Sequence, residues 1–556
     1  MMLVGALRRV AANESMRRVE LGWLLALAAD GAYLVSLLVY AYAQGGVLAA
    51  GLVTTFRSLP SGFLAPVLSS FADRFPKARV LLAVHLMRGL TVAVVAACAF
   101  AGVPITLVLV AVVVEGLMIG LNRATTLSVM PALARSPEEL VAGNATITLG
   151  EGIGALIGPV VAGALLMVGG PGLGLSASAA SFGLAAVAVL SVEVVAVRRS
   201  AATLAPGGSR RMLDMLAGFG ALRRYPSAGV VVGLFGSQTI VRGALTVLIV
   251  ATAVELLGIG ESGVGYLTSA IGGGGLIGAT LAMTLVTGGR LALPFAIALA
   301  MWSLPIALLG FVPHPAFAFV LLGVVGAANA SLDVAGFTLL QRCVPNAVRA
   351  RVFGALESVA ALGMTIGAAG VPLLVQLVGL QGALVATGLF LPVLAVVTFP
   401  VLRRADAAAV VPHRELALLR RVPMFSPLPL TVMEHLAGSL ERIHYDEGTA
   451  VITQGDAGDC FYVVASGAVD VVHDGSRVKT LAEGDGFGEI ALLSERPRTA
   501  SVIAREPLET YRLPRPAFLE AITGSPHSVV AADELMTQRL AELGHHDDFA
   551  HPPTSA

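Results

Sequence analysis

Long apolar stretches alternate with short polar gaps over most of the chain before Arg403. Each stretch approaches the roughly 20 residues that a helix needs to cross a bilayer. Breaks at glycine, proline and clustered charges give about twelve of them, at 21–43, 47–72, 79–101, 104–130, 141–168, 172–195, 228–256, 262–287, 291–312, 315–340, 352–377 and 382–402. Beyond Arg403 the apolar runs are short and alternate with polar positions. The pattern predicts a polytopic α-helical membrane unit followed by a small soluble domain.

Among the gaps between the predicted membrane helices, basic side chains occur only in every second one. The other gaps, which contain neither Lys nor Arg, lie around Gly45, Gly102, Gly170, Gly260, Pro313 and Gly379. Because positively charged loops remain in the cytoplasm, both chain ends are expected there and the number of spans should be even. We expect a multi-pass protein of the inner (plasma) membrane, with the lipid bilayer as one partner.

A polar gap after the sixth stretch divides the membrane unit into two halves of six helices. Residues 122–158 and 329–367 repeat one arrangement. An apolar stretch is followed by a proline-containing loop and then by a second apolar stretch with glycines four positions apart. Repeated halves around a central site are typical of secondary transporters. The glycines also have a simpler interpretation, since small residues four positions apart let helices pack closely.

The composition excludes several classes of protein. Of the 556 residues, 56% are apolar and only 13% are charged, whereas soluble domains carry about 25% charged residues. The formal net charge of zero gives no reason to expect a nucleic-acid partner. The three cysteines Cys98, Cys343 and Cys460 lie far apart without metal-ligand spacing, so we interpret them as reduced thiols and expect no metal site. No enzyme motif is visible.

Six ionisable residues fall near the middle of the predicted membrane helices, where a charge is costly and seldom persists without a partner. They are Asp30, Arg57, Arg88, Glu115, Glu151 and Arg242. The equal number of acids and bases predicts ion pairs that face an internal cavity, and Asp30 and Arg57 lie on consecutive antiparallel spans. A carboxylate among them is a candidate for proton coupling, because a neighbouring base tunes its pKa. The alternative is that some pairs only lock helices together.

The loop after the second span reads Ser-Ser-Phe-Ala-Asp-Arg-Phe-Pro-Lys-Ala-Arg over 69–79. It resembles the G-x-x-x-D-R-x-G-R/K-x-R/K signature of the major facilitator superfamily, which implies that Asp73 and Arg74 belong to the cytoplasmic gate. Ser69 and Pro76 replace the usual glycines. The glycine-proline pattern of 150–163 resembles that of exporters, and 122–163 as a whole is similar to the siderophore- and macrolide-exporter branch.

Short alternating strands with glycine turns follow a helical region that starts near Leu416. The predicted strands are Ala450–Ile452, Cys460–Ala465, Ala468–His473, Val478–Leu481, Thr499–Ala504 and Glu509–Leu513. A final helix is expected over about 527–543. This order predicts a small α+β domain with a jelly-roll barrel flanked by helices.

Two segments within the predicted barrel, 486–493 and 497–500, carry the most specific pattern in the chain. A glycine turn that opens a short helix presents N–H groups to an anion, the planar guanidinium of Arg498 matches two phosphate oxygens, and Glu489 is placed to accept the ribose 2′-hydroxyl proton. This arrangement resembles the phosphate-binding cassette of the cyclic-nucleotide-binding domain family. The implied ligand residues are Gly486, Phe487, Gly488, Glu489, Ile490, Ala491, Arg498, Thr499 and Ala500.

The resemblance leaves the purine base open. Thr499 resembles the residue that contacts guanine in cyclic-GMP-binding members, but cyclic-AMP binders use it too. We favour cAMP, with cGMP as the alternative. Leu535 and Arg539 of the final helix are candidate lids over the base.

Together these patterns predict a cyclic-nucleotide-regulated secondary transporter, expected to be a proton-coupled exporter of small organic molecules. The alternatives are a lipid or lysophospholipid flippase under the same control, or a membrane sensor that does not transport. The expected domains are a first transporter half (1–195), a cytoplasmic connector (196–227), a second half (228–402), coupling helices (403–429), the nucleotide-binding domain (430–543) and a disordered tail (544–556).

Overall fold

The computed structural model describes residues 10–72, 75–134, 137–190, 192, 218–285, 290–344, 346–408, 413–428, 430–494, 496–523 and 526–542. The chain separates into two compact units, Met1–Ala409 and Val410–Ala556. All regular secondary structure in the described residues of the first unit is helical. Its helices are α1 Glu14–Ala72, α2 Lys77–Phe100, α3 Ile105–Leu133, α4 Pro137–Leu190, α5 Pro226–Ala251, α6 Gly260–Leu285, α7 Ala292–Phe311, α8 Pro315–Cys343 and α9 Asn346–Ala408, with a π-helical turn at Thr252–Leu256 after α5.

Eight helices among the described residues are long and apolar enough to cross a membrane. Three of them, α1, α4 and α9, contain 59, 54 and 63 residues, more than twice the length that one crossing needs. Each is interrupted by glycine with positive φ, at Gly46, Gly170 and Gly379. A side chain rarely adopts this backbone conformation, so glycine is required where the helix direction changes. The breaks coincide with gaps expected from the sequence, and twelve spans remain a prediction.

Small residues let the helices of the first unit approach backbone to backbone. A Cβ atom on Gly158 of α4 would lie 2.4 Å from the carbonyl oxygen of Ala28 in α1, and one on Gly367 of α9 would lie 1.9 Å from that of Ile240 in α5. The matching glycines of the two predicted halves therefore support close helix packing. Without a hydrophobic driving force between helices in lipid, such close contact is a main source of association.

A similar seam joins α6 and α8. A Cβ atom on Gly274 would lie 1.9 Å from the carbonyl oxygen of Gly323, and one on Gly326 would lie 1.9 Å from that of Ile271. Neither glycine can gain a side chain without moving a helix backbone. The two helices therefore fit together only because this surface has no side chains.

The second unit begins with two short helices, α10 His413–Arg421 and α11 Leu430–Gly438. Eight strands follow, with a short helix between the sixth and seventh and two helices at the end: β1 Glu441–Tyr445, β2 Ala450–Ile452, β3 Cys460–Ser466, β4 Val469–His473, β5 Ser476–Leu481, β6 Gly486–Phe487, α12 Glu489–Leu493, β7 Ser501–Ala504, β8 Leu508–Pro514, α13 Arg515–Thr523 and α14 Pro526–Glu542. The strands form two antiparallel sheets in the orders β1-β8-β3-β6 and β2-β7-β4-β5. Two four-stranded antiparallel sheets are typical of a jelly roll.

Alternation along the strands explains where the core of this unit lies. Phe461 on β3 packs against Phe425 and Phe518 outside the barrel, with ring centroids 5.5 and 5.1 Å away. The next residue, Tyr462, faces the barrel interior and stacks on Phe487 of β6 at 5.2 Å. This stacking and the pairing of β6 with β3 fix the start of the segment that leads into α12.

Candidate functional site

A cavity with about 610 Å³ of empty space lies in the barrel beside α12. It is lined by Ile452, Val471, Val478, Lys479, Leu481, Phe487, Gly488, Glu489, Ile490, Ala491, Arg498, Thr499, Ala500, Val502 and Arg539. All the ligand residues expected from the sequence except Gly486 lie on this wall. Gly486 instead pairs with Val463 in the sheet. The sequence did not identify the apolar wall of β4 and β5, because its side chains follow the ordinary strand alternation.

Arg498 is a buried arginine whose hydrogen bonds within the described residues go to neutral backbone groups. Nη1 donates to the carbonyl oxygen of Gly488 and Nη2 to that of Cys460, both at 2.8 Å. Its side chain is 5% exposed, and the nearest carboxylate in the described barrel, that of the exposed Asp459, lies 3.6 Å away. Carbonyl groups orient a guanidinium without cancelling its charge. The pocket therefore contains a fixed positive group suited to an anion.

Gly488 positions this guanidinium as well as the start of α12. Its φ of 91° lies in the left-handed region, which favours glycine. A Cβ atom there would lie 2.7 Å from Nη1 of Arg498 and 3.2 Å from the carbonyl oxygen of Cys460. The glycine is therefore required by both its backbone conformation and the space that the arginine occupies.

Glu489 is 1% exposed and already has a charged partner. Nη1 of Arg539, on α14, donates to both carboxylate oxygens at 2.9 Å. The sequence assigned Glu489 to a ribose hydroxyl and Arg539 to a lid, but no local signal linked the two residues, which are fifty positions apart. Any ribose hydroxyl that reaches Glu489 must share its oxygens with Arg539.

The final helix contacts the cassette through an apolar residue that the sequence analysis did not single out. Met536 packs against Ile490 of α12, with Leu493 beside them. Leu535, the other lid candidate, is partly buried against the apolar core between the helices and the barrel. The contact between α14 and the cavity wall is therefore made by Met536 and Arg539.

Two titratable groups beside Arg498 stay neutral at physiological pH. Burial raises the pKa of the Cys460 thiol above its usual range, and burial raises the pKa of Tyr462 to about 12. Neither group adds negative charge near Arg498. Electrostatically the pocket therefore remains favourable to a phosphate.

Four of the six ionisable residues expected inside the membrane form one cluster. Arg57 Nη2 donates to Asp30 Oδ1 at 2.6 Å and Arg57 Nε to Glu115 Oε2 at 3.0 Å. Arg88 Nε donates to Glu115 Oε1 at 3.0 Å, and Arg88 Nη2 reaches both carboxylates. The cluster contains two acids and two bases, so its formal charges cancel.

Aromatic rings cover the arginines of this cluster. The guanidinium of Arg57 lies 5.5 Å from the ring centre of Tyr33, and that of Arg88 lies 4.3 Å from that of Phe182. Glu115 is fully buried and Arg88 is 2% exposed. Cation–π contacts and charge-assisted hydrogen bonds together satisfy these groups in an apolar setting.

The other two residues, Glu151 and Arg242, lie outside the cluster, and each has a different partner. Glu151 accepts from Nε of Arg123 at 3.3 Å, and both side chains are partly exposed. Arg242 Nη2 donates to the side-chain oxygen of Asn329 at 2.6 Å. The sequence did not predict either partner, since the balance of acids and bases does not specify which groups meet.

A second cavity, with about 1,280 Å³ of empty space, lies between helices of both predicted halves within the first unit. Asp30, Glu151 and Arg242 are the charged residues on its described wall, together with Asn329 and Trp302. Arg57, Arg88 and Glu115 lie behind this wall. Asp73 and Arg74, the expected gate residues, fall outside the described residues.

Within the residues that the structure describes, no group of three or more His, Cys, Asp or Glu side chains is arranged to hold a metal ion.

Family models match both units of the chain. Residues 21–288 match the Major Facilitator Superfamily, and residues 442–525 match the cyclic nucleotide-binding domain. The chain contains both domains. The two resemblances seen in the sequence are therefore confirmed at the level of the domain families, and the major facilitator domain accounts for a helical membrane part.

Curated relatives are similar to the second domain. A cAMP-dependent protein kinase regulatory subunit of Aspergillus niger is 38% identical over 104 residues, or 18% of this chain and 25% of the relative. Its counterpart in Schizosaccharomyces pombe is 34% identical over 134 residues, or 24% of this chain and 31% of the relative. The chain thus spans a third or less of the length of these relatives.

Solved structures are similar over the same part of the chain. One, described as Sp-2Cl-cAMPS bound to PKAR CBD2, is 25% identical with a TM-score of 0.23 and covers 25% of this chain and 94% of its own. Another, the sensor domain of the transcriptional regulator DNR from Pseudomonas aeruginosa, is 20% identical with a TM-score of 0.23 and covers 25% of this chain and 98% of its own.

Proposed function

We propose that this protein is a secondary active transporter of small organic molecules whose activity is modulated by cAMP. The observation that carries the proposal is the buried guanidinium of Arg498, which faces a cavity within a cyclic nucleotide-binding domain and donates to two carbonyl groups, with the exposed Asp459 carboxylate 3.6 Å away. A cyclic phosphodiester supplies a buried negative counter-charge for this guanidinium. The transporter part rests on the major facilitator match.

The choice of cAMP over cGMP rests on the curated relatives. The relatives named above are cAMP-dependent kinase subunits, although a cGMP-dependent protein kinase of Plasmodium berghei is also similar, at 30% identity over 140 residues. Thr499 lies on the cavity wall and fits either base. A titration with both nucleotides measures the preference directly.

We place twelve spans in the membrane with both chain ends in the cytoplasm. Eight helices meet the length and hydropathy expected for a crossing, and dividing α1, α4 and α9 at their glycine breaks adds three. Helix α6 adds the twelfth. The even number agrees with the distribution of basic residues between the stretches.

Proton coupling is assigned to Glu151 rather than to the four-residue cluster. Asp30 and Glu115 each accept hydrogen bonds from two arginines within a largely buried network. Glu151 lies on the cavity wall, is partly exposed and has one looser partner. A carboxylate that exchanges protons with a cavity needs this accessibility. Export is the direction implied by the resemblance of 122–163.

Regulation is assigned to residues 403–429, which connect the two domains. If cAMP binds one state of the transporter ~10–100-fold better than another, it shifts their equilibrium by roughly 1.4–2.7 kcal/mol. That shift tunes activity without acting as an absolute lock.

The test uses the full chain in inverted vesicles, with proton flux driven by erythromycin or enterobactin as probe cargo. We expect cAMP to change the flux of the wild-type protein, Arg498→Ala to lose this response, and Arg498→Lys to recover part of it because Lys keeps the charge without the planar fork. Arg505→Ala, which removes an exposed arginine, is the matched control and should keep the response. An undiminished cAMP response in Arg498→Ala rejects the pocket.

A lipid or lysophospholipid flippase remains the second candidate, because a shallow apolar groove lies along α4, α6 and α8. Its wall includes Leu156, Tyr266, Ile277, Phe319 and Val320. Lysophosphatidylglycerol movement without proton flux would favour it. The absence of any cargo movement would favour a membrane sensor.

A further inference from the structure

The large cavity of the membrane unit has mostly apolar walls. Leucine, isoleucine and valine side chains from both predicted halves face it, among them Leu34, Leu38, Leu245 and Ile249. The cavity contains about 1,280 Å³ of empty space, part of which opens to solvent. The wall therefore favours a cargo with a substantial apolar body.

The acids on this wall already have cationic partners. Asp30 accepts from Arg57 and from Arg88, and Glu151 accepts from Arg123. Each carboxylate therefore faces the cavity with its charge at least partly compensated. A cationic cargo gains little from them unless it displaces an arginine.

Arg242 differs, because its hydrogen bond within the described residues goes to a neutral amide. The side-chain oxygen of Asn329 accepts from Arg242 Nη2 at 2.6 Å and from the indole nitrogen of Trp302 at 3.0 Å. The amide nitrogen of Asn329 donates to Asp333 at 2.9 Å, which fixes the orientation of the amide. Asp333 lies within electrostatic range of Arg242, but Asn329 separates the two groups along this chain of hydrogen bonds.

Among the described residues Arg242 donates to one side chain, that of Asn329, so its oriented guanidinium reaches the cavity wall with further N–H groups available. A guanidinium has five donors in a planar fork that matches a carboxylate or a phosphate. Among the described residues it is the one base on the cavity wall. An anionic group on a cargo is the natural partner for it.

We propose that the cavity takes an amphipathic organic anion, with its carboxylate or phosphate on Arg242 and its apolar body against the leucine and isoleucine side chains. This inference rests on the proposed function, since it names the cargo class of the same transporter. Asn329 and Trp302 act as positioning residues that hold the guanidinium toward the cavity.

The test measures binding of 11-(dansylamino)undecanoic acid by fluorescence to the full chain in nanodiscs, with empty nanodiscs subtracted. Its methyl ester and the matching 11-(dansylamino)undecylamine keep the chain length and change only the charge. We expect the acid to bind at least tenfold more tightly than either analogue, as one charge-assisted contact in a partly apolar site predicts.

Arg242→Gln should weaken binding of the acid about tenfold and leave the ester unchanged, and Arg242→Lys should retain part of the preference. The matched control is Arg290→Gln, which removes an exposed arginine that does not line the cavity. Tighter binding of the amine, equal binding of acid and ester, or an unchanged affinity for the acid in Arg242→Gln overturns the proposal. Binding is measured without a proton gradient or cAMP, so failure of transport or of regulation leaves this result independent.

Phosphate-headed and carboxylate-headed cargo are separated by repeating the titration with dansyl-labelled lysophosphatidic acid.

Discussion

Two buried arginines, one in each compact unit, have their hydrogen bonds accepted by different kinds of group. Arg88 in the membrane unit is 2% exposed and donates to the carboxylates of Asp30 and Glu115. Arg498 in the nucleotide-binding domain is 5% exposed and donates to two backbone carbonyl groups. Both have satisfied hydrogen bonds, but the charge of Arg88 is balanced by Asp30 and Glu115, whereas the carboxylate nearest to Arg498, that of the exposed Asp459, lies 3.6 Å away. A buried arginine held by carboxylates stabilises the fold, whereas one held by carbonyl groups keeps its charge for a ligand.

Arg242 follows the second pattern within the membrane unit, because an amide oxygen holds it. The partner of an arginine is therefore a better guide to its role than its depth in the fold. Each of the following predictions changes either the partner or the guanidinium.

The largest effect is expected from Arg88→Ala. The change leaves Glu115 fully buried with Arg57 as its remaining partner among the described residues, and one buried arginine then faces two carboxylates. Breaking a buried ion pair costs about 3–5 kcal/mol. The double change Arg88→Leu/Glu115→Leu keeps the balanced Asp30–Arg57 pair and should recover most of this loss.

Thermal unfolding of the purified full chain checks this order of stabilities. Arg123→Leu is the matched control, because the Arg123–Glu151 pair is partly exposed and such pairs contribute up to about 1 kcal/mol. If the double variant is no more stable than Arg88→Ala, cancellation of charge is not what stabilises the cluster.

An intermediate effect is expected from Gly488→Ala. Alanine is strained at a φ of 91°, and its Cβ would lie 2.7 Å from Nη1 of Arg498. The guanidinium must move, so we expect about tenfold weaker cAMP binding, since ~1.4 kcal/mol is a tenfold change. Isothermal titration of the full chain with cAMP measures it.

Gly475→Ala separates backbone strain from displacement of the arginine. Gly475 has a φ of 79° in the turn between β4 and β5, with open space where its Cβ would lie. Its substitution should lower thermal stability and leave cAMP affinity unchanged. Equal losses of affinity in both variants would show that strain, not the position of Arg498, controls binding.

The smallest effect concerns the ion pair between the exposed Arg442 and the largely buried Glu509. The Arg442 guanidinium lowers the pKa of the Glu509 carboxyl below its usual range. A lowered pKa in the folded state means that the pair stabilises the protein above the ordinary carboxyl pKa of about 4.3 and stops doing so as the pH falls through the lowered value.

The thermal unfolding midpoint should therefore differ slightly between the wild-type protein and Arg442→Gln at pH 7, and the difference should shrink as the pH falls below about 4. Arg505→Gln serves as the reference and should show no such trend, because Arg505 is exposed and forms no ion pair within the described residues. A constant difference across this range would mean that Glu509 does not sense Arg442.

The sequence was sufficient where function depends on neighbouring positions. The cassette around Gly488 and Glu489 places its residues on the cavity wall because a turn, a short helix and the following arginine lie within a few residues of each other. The glycine breaks were visible for the same local reason. The short strand Glu441–Tyr445 was missed, because its polar and largely exposed residues lack an apolar alternation.

Partners that lie far apart in the chain were not predictable. Asp30 and Arg57 were placed on consecutive antiparallel spans, and this constraint was enough to suggest that they meet. The contacts of Arg88 and of Arg539 depend on how α2 and α14 pack, and no local periodicity encodes the rotation of a helix about its axis.

The glycine seam between α6 and α8 has a mechanical consequence. Two helices that touch through bare peptide groups have no side chains to rearrange, and sliding by a fraction of a turn would drive one carbonyl into the other backbone. Such a pair moves as one rigid body. If the second half rocks, α6 and α8 must swing together, and bending has to occur at softer places in the bundle.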